Sequence, residues 1–313
     1  MKGIELARQY YEAYGKEMLH TQFSPVLPHL AIGLAGSGSE CYGYDDASSR
    51  DHDFEPAFCI FLPGEDVVDR RTAFLLERAY AKLPKEFMGL TRSPLSPVGG
   101  NRHGVIRMAD FFLAKTGSPD GELSLQQWFS VPEFGLLEAT NGAVFADPCG
   151  QFTSIREKLR YFPEDVRRKK LAGHLLLMGQ SGQYNYSRCI ARGETAAAQL
   201  AVFEFTQSAL HSIYLLNRAY MPYYKWSFRG LQDLSRLSTL AAPLEWLISS
   251  GNAAREVRQK EEWIEQICAA VADELRTQNL TALQNAEMER HAYALNDTIT
   301  DHNVRNTHIL HGT

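Results

Sequence analysis

Residues 33–53 read Gly33-Leu34-Ala35-Gly36-Ser37-Gly38-Ser39-Glu40-Cys41-Tyr42-Gly43-Tyr44-Asp45-Asp46-Ala47-Ser48-Ser49-Arg50-Asp51-His52-Asp53. Small residues let a backbone approach a ligand closely, and the N–H groups and hydroxyls of such a loop act as donors. A polyphosphate suits it. The apolar run His29 to Ala35 before the loop reads as a short strand, and a second strand is predicted over His52 to Leu62. Residues two apart on a strand share a face, so Asp51 and Asp53 at its start converge on one point. A hard cation such as Mg²⁺ takes oxygen ligands and keeps substrate phosphates in its remaining positions, so a phosphate loop and an Asp pair form a coherent set. In two-metal chemistry one ion activates the attacking hydroxyl and the other steadies the triphosphate, the ions lying roughly 3.5–4 Å apart. Each element alone is commonplace: an Asp-x-Asp is usually a solvated acidic edge, and a Gly/Ser loop is usually a turn. Their order and close spacing carry the reading.

The rest of the chain sets that loop in context. At 313 residues, with 44% hydrophobic and 22% charged, the sequence can bury a sizeable core and is long enough for two domains. A net charge of −5 argues against a general nucleic-acid coat or a membrane-surface binder. No stretch approaches the roughly 20 apolar residues that span a bilayer, and Met1 to Gly15 mixes Glu and Lys with aromatics, unlike a signal peptide. A cytoplasmic protein with no membrane partner is expected. Cys41, Cys59, Cys149, Cys189 and Cys268 are far apart and show no ligand spacing; they read as small buried side chains.

Texture divides the chain near residue 150. Over 1–150, Pro and Gly punctuate short apolar runs. Ile4 to Leu19 and Arg70 to Leu83 read as amphipathic helices, the latter with Phe74, Leu75, Ala79 and Leu83 on one face. His103 to Met108 and Gly142 to Ala146 read as strands. Interleaved strands and helices predict an α+β domain, a mixed sheet with flanking helices. Over 151–313 helical periodicity takes over: Thr153 to Arg160, Pro163 through Leu177, a long central helix from Thr195 to Tyr220, then Pro243 to Ile248, Glu256 to Arg276 and Ala282 to Leu295. This half is expected to be an all-α bundle.

The strand, the Gly-Ser loop, the spacer and the Asp-x-Asp strand resemble the signature of the DNA polymerase beta-like nucleotidyltransferases, which include small bacterial antibiotic nucleotidyltransferases. The wider chain is similar to bacterial nucleotidyltransferase-like proteins whose helical region is catalogued as a domain of unknown function. The matching stretches are Gly38 to Asp46, Ser49 to Asp53, Gly142 to Asp147, Ile155-Arg156, Tyr161 to Val166 and Met221 to Trp226. The resemblance implies that Ser37 or Ser39, with Gly36 and Gly38, holds nucleotide phosphates and that Asp51 and Asp53 bind Mg²⁺. Two Gly-Ser pairs occur, and the sequence does not choose between them. It implies a nucleoside triphosphate and a hydroxyl acceptor, whether small molecule, protein or RNA, without identifying the acceptor.

One departure concerns the third carboxylate that the superfamily usually supplies from a later strand as general base. The expected strand here, His103 to Met108, carries Arg107 and offers Asp110 only beyond its end; Glu55 and Glu65 are weaker alternatives. Two functions follow from that. One is a Mg²⁺-dependent nucleotidyltransferase, the other a catalytically inactive nucleotide-binding or interaction module of the same fold.

Further residues have two readings each. Arg50 either neutralises a phosphate or pairs with Asp45 or Asp46, which otherwise order the loop as Asp does in turns. Lys225 beside Tyr223 and Trp226 either meets the triphosphate while a ring stacks on the base, or is solvated next to packed aromatics. Gln180 to Tyr186 is a polar break whose amides either read a base edge or cap a helix junction. The run Arg167-Arg168-Lys169-Lys170 is expected to be a solvated face paired with Glu164 and Asp165. His302, His308 and His311 lack ligand spacing.

Overall fold

The computed structural model describes residues 1–46, 54–92 and 102–313. They cluster into two units: Met1–Ser124 with Val131–Arg160, and Leu125–Ser130 with Tyr161–Thr313. The first is α+β and the second is helical among the described residues, the fold class that the sequence pattern predicts.

The first unit begins with one helical run, α1 (Gly3–Tyr10) and α2 (Lys16–Gln22) joined by a π-helical turn, Tyr11–Gly15. Gly15 makes room for Phe58, whose ring would stand 2.4 Å from a Cβ there. After β1 (Ala31–Leu34) and α3 (Ser39–Tyr42) come β2 (Cys59–Leu62), α4 (Arg70–Ala81), a hairpin of β3 (Glu86–Phe87) and β4 (Leu90–Thr91), and β5 (Gly104–Arg107). Next are α5 (Met108–Thr116), α6 (Leu125–Ser130, part of the second unit), α7 (Glu133–Thr140), β6 (Ala143–Ala146) and α8 (Gln151–Lys158). The main sheet runs β5-β2-β1-β6, with β2 parallel to β5 and β1 antiparallel to both neighbours.

Strand β2, Cys-Ile-Phe-Leu, is buried along its whole length, as a central strand covered on both faces must be. Ile60 and Leu62 face a core built with Tyr10, Leu19, Leu76 and Tyr80 from α1, α2 and α4. Phe61 points the other way, its ring stacked on Phe152 of α8 with centroids 4.1 Å apart and edge-on to Phe111 of α5 at 5.1 Å. The strand expected over 52–62 is shorter than its apolar pattern. Among its described residues Phe54 to Phe58 lie outside the ladder, and Pro56 there has no N–H to give one.

Tyr80 fixes the rotation of α4. Its hydroxyl donates to the Phe58 carbonyl at 2.8 Å and accepts from the Phe58 N–H at 3.0 Å. That turns Leu76, Ala79, Tyr80 and Leu83 inward and leaves Phe74 and Leu75, expected on the buried face, 55% and 47% exposed. Asp69 caps the helix through the Thr72 N–H, and Arg92 closes its far end on the Tyr80 and Ala81 carbonyls.

In the second unit α9 (Glu164–Met178) starts directly after Pro163 and continues through a π-helical stretch, Gly179–Tyr186, into α10 (Ser187–Ala191). The long α11 (Thr195–Leu216) packs on α9, on the π-helical stretch and on α13 (Ala241–Ser249) and α14 (Ala254–Thr277). A helix not expected from the sequence, α12 (Tyr224–Gln232), follows α11; α15 (Met288–Asn296) and α16 (His302–Arg305) come last. Helix was expected from Ala282, but α15 begins only at Met288. The Gln183 carboxamide holds the preceding segment, donating to the Ala286 carbonyl at 3.0 Å and accepting from the Met288 N–H at 3.0 Å.

The basic run on α9 is no solvated face. Arg167, Lys169 and Lys170 are buried. Lys169 donates to Asn296 Oδ1 and to the carbonyls of Arg305 and Thr307, and Lys170 donates to the Gly312 carbonyl. A buried ammonium needs such acceptors because it has lost its water. Glu164 does pair with Arg167 and Arg168, and with Arg218, whereas Asp165 accepts from Thr300 and Asp301. Of the cysteines, Cys41, Cys59 and Cys268 are buried and Cys149 is exposed. Among the described residues no helix is long and apolar enough to cross a membrane.

Partial burial works against the Glu164 charge, but hydrogen bonds from Arg167 and Arg168 and the fields of Arg167 and Arg218 outweigh it. Its carboxyl is held at about 2, below the ordinary 4.5. The unfolded chain therefore binds the proton first as pH falls, so this stabilisation is complete above about 4.5 and fades toward 2. Glu164→Gln is expected to cost about 1–2 kcal/mol at pH 7, a modest figure because the carboxylate is part exposed. In urea melts the gap between the two proteins should narrow from pH 6 to pH 3; a gap constant with pH would show that the Arg cluster does not depend on the charge.

Candidate functional site

The sheet topology gathers the candidate residues at one edge. The C-terminal end of β1 lies beside the N-terminal ends of β2, β5 and β6. Leaving or entering the sheet at that edge are Gly36 to Glu40 after β1, Glu55 before β2, His103 before β5, and Asn141 and Gly142 before β6.

The loop after β1 needs its glycines. Gly36 and Gly38 have φ of 118° and 145°, a region that L side chains rarely adopt. A Cβ on Gly38 would also lie 2.3 Å from Glu40 Oε1. The Asn141 side chain holds Gly36 from both sides: Oδ1 accepts from the Gly36 N–H and Nδ2 donates to its carbonyl, each at 2.9 Å. Arg156 in turn donates to the carbonyls of Thr140 and Asn141 at 2.5 and 2.6 Å, and the Gly142 N–H donates to Cys41. The peptide of Gly36 is thus fully used. The hydroxyls of Ser37 and Ser39, both half-buried, have no hydrogen-bond partner among the described residues.

Three further groups fix the surroundings. Glu138, buried at the end of α7, accepts from the Tyr42 hydroxyl at 3.0 Å and pairs with Lys115 at 2.5 Å. Burial, then Glu138, pushes the Tyr42 phenol well up, so it stays a donor. Lys115 runs beside the loop, its Cε 4.0 Å from the Cβ that Gly36 lacks. His103 sits between two acids, with Nδ1 3.0 Å from Glu55 Oε1 and Nε2 3.9 Å from Glu40 Oε1. It thereby links the loop after β1 to the segment entering β2. Asp45 anchors the loop's far end to the start of α1, accepting from the Gly3 N–H at 3.0 Å while Lys2 donates to the Gly43 and Asp45 carbonyls.

Of the residues expected from the sequence, Gly36, Ser37, Gly38 and Ser39 form this loop. Arg50, Asp51 and Asp53 lie outside the described residues. Asp110 is exposed in the first turn of α5. Arg107 ends β5 and donates to the Pro63 carbonyl at 2.7 Å. Glu65 pairs with Arg70 on the surface. Tyr223 and Lys225 are exposed at the start of α12 in the second unit, Lys225 Nζ lying 5.3 Å from the Trp226 ring. The amide of Gln183, a candidate for reading a base edge, is committed to Glu265, Ala286 and Met288. Sequence reading passed over Lys115, Glu138, Asn141 and His103. They come from segments distant in sequence: strand pairing brings His103 and Asn141 to this edge, and the packing of α5 on α7 brings Lys115 to Glu138.

Residues 128–227 match the family described as a domain of unknown function, DUF4037. A similar solved structure is a nucleotidyltransferase-like protein from Exiguobacterium sibiricum 255-15, with 11% identity and a TM-score of 0.36 over 90% of this chain and 89% of that one. No curated protein matches the chain.

Asn141→Ala removes both bonds to Gly36 and should cost about 1–3 kcal/mol, since the peptide it serves is buried. Asn141→Asp keeps the acceptor only and should fall between. Hydrogen exchange should quicken at the Gly36 amide in both variants, and most in the alanine one; unchanged exchange there would remove the clamp from the account.

Proposed function

We propose that the chain is a Mg²⁺-dependent nucleotidyltransferase. The observation that carries the reading is the loop after β1: two glycines in left-handed conformations, an Asn clamp that fixes the loop's entry, and two serine hydroxyls without partners among the described residues, followed in sequence by Asp51 and Asp53. In this reading Ser37 or Ser39 donates to the β- and γ-phosphates. The Gly36 N–H already serves Asn141, which favours the Gly38-Ser39 pair. Arg50 neutralises phosphate charge. Asp51 and Asp53 supply hard oxygen ligands of the kind Mg²⁺ prefers. When bound, the metal would offset the negative charge of the triphosphate. An acceptor hydroxyl attacks the α-phosphorus and loses its proton to solvent, the new phosphoester forms as the α–β phosphoanhydride breaks, and pyrophosphate leaves with the nucleotide monophosphate joined to the acceptor.

A second reading has an observation of its own. Strand β5 carries no carboxylate: its residues are Gly104, Val105, Ile106 and Arg107, and the Arg107 guanidinium is turned to Pro63. A domain that binds nucleotide without transferring it accounts for that substitution. Calorimetry with ATP and the other nucleoside triphosphates, with and without Mg²⁺, tests what the two readings share. Binding is expected to need Mg²⁺ and to weaken at least tenfold in Asp51→Ala and Asp53→Ala; binding that both variants leave unchanged would sink the proposal. Pyrophosphate release over a panel of sugar, peptide and RNA acceptors separates the readings, release favouring the transferase and its absence with intact binding the inactive module.

A further inference from the structure

Within the second unit, α13 and α14 diverge from the turn at Ser250 to Ala253 and leave a cleft of about 620 Å³. That volume falls in the range of small-molecule sites, about 300–1,000 Å³. Two of the four tryptophans in the chain line it, Trp246 from α13 and Trp263 from α14, with Pro243 beside them. Both indoles are half-buried, and they make no ring contact with each other. Large aromatic rings ordinarily bury their faces against the core, so two that face one open cleft leave apolar surface for an occupant.

The polar lining says which kind. Glu256 is committed to the helix start, where its Oε2 accepts from the Ala253 N–H at 2.8 Å. Gln259 donates through Nε2 to Glu262 at 3.2 Å, which leaves its carbonyl oxygen as an acceptor. Arg255, exposed at the cleft edge, has no hydrogen bond or ion pair among the described residues. Among the lining residues Arg255 is therefore the charged side chain left to meet an occupant, while Glu256 is turned to the helix start, and the walls are aromatic. We infer that this cleft binds a planar aromatic molecule bearing a carboxylate or phosphate, the ring held against Trp246 and Trp263 and the anion by Arg255. This inference is independent of the reading of the Gly-Ser loop.

The test uses the full chain labelled with 5-fluorotryptophan, whose four ¹⁹F resonances are assigned from single Trp→Phe variants. Three probes share one ring system: 2-naphthoate, 2-naphthol and 2-naphthylmethylammonium. The carboxylate is expected to shift the Trp246 and Trp263 signals saturably and to bind at least tenfold more tightly than the ammonium. Arg255→Gln, an exposed change that leaves the fold intact, should abolish that preference. Response at Trp128 or Trp226 alone, no response at any indole, or an ammonium that binds as tightly as the carboxylate would each overturn the inference.

Discussion

The first unit's candidate site depends on one side chain that makes no claim to chemistry. Asn141 takes both hydrogen-bonding groups of the Gly36 peptide, and so ties the loop that leaves β1 to the residue that enters β6. Arg156 secures the carbonyl just before and that of Asn141 itself, and Gly142 has to be glycine because any Cβ would lie 2.0 Å from the Leu34 carbonyl. With the entry fixed, the left-handed turns at Gly36 and Gly38 can be held open with hydroxyls to spare. A loop of small residues without such a clamp would spend its affinity on its own ordering, since fixing each backbone residue costs about 1–2 kcal/mol.

His103 is the complementary constraint. Its imidazole lies between Glu40 and Glu55, so the start of β5 is joined at once to the loop after β1 and to the segment that leads into β2. Three strands that the sequence separates by tens of residues thereby share one set of charges at one edge of the sheet. Lys115 and Glu138 perform a like office on the other side of the loop, joining α5 to α7 beside Gly36.

What the sequence made legible was periodic or local. β1, β5 and β6 lie where short apolar runs predicted them, and the long helices follow the 3.6-residue period. The Gly-Ser loop could be found because its composition is unusual over a short span. Illegible features depended on partners elsewhere. The inward face of α4 was misjudged because the pattern Phe74, Leu75, Ala79, Leu83 competes with Leu76, Ala79, Tyr80, Leu83, and Tyr80 decides through the Phe58 backbone. Basic residues on α9 looked solvated because charge is normally a surface property, yet three of them end on backbone carbonyls in the interior. No local signal marks Asn141 or His103, whose partners lie 105 and 48 residues away.

The π-helical stretch after α9 has a consequence for how this protein tolerates change in chain length. Gly182 is packed so closely that a Cβ would stand 2.3 Å from the Phe205 ring, and Tyr186, fully buried, reaches Asn252 with its hydroxyl. Each residue of an α-helix turns the chain by about 100°. Removing one residue from this stretch would give a more regular helix, and it would swing α10 through that angle and carry Tyr186 away from its partner. A length polymorphism here, harmless by every measure of local helical propensity, would reset the register of all that follows against α11 and α14.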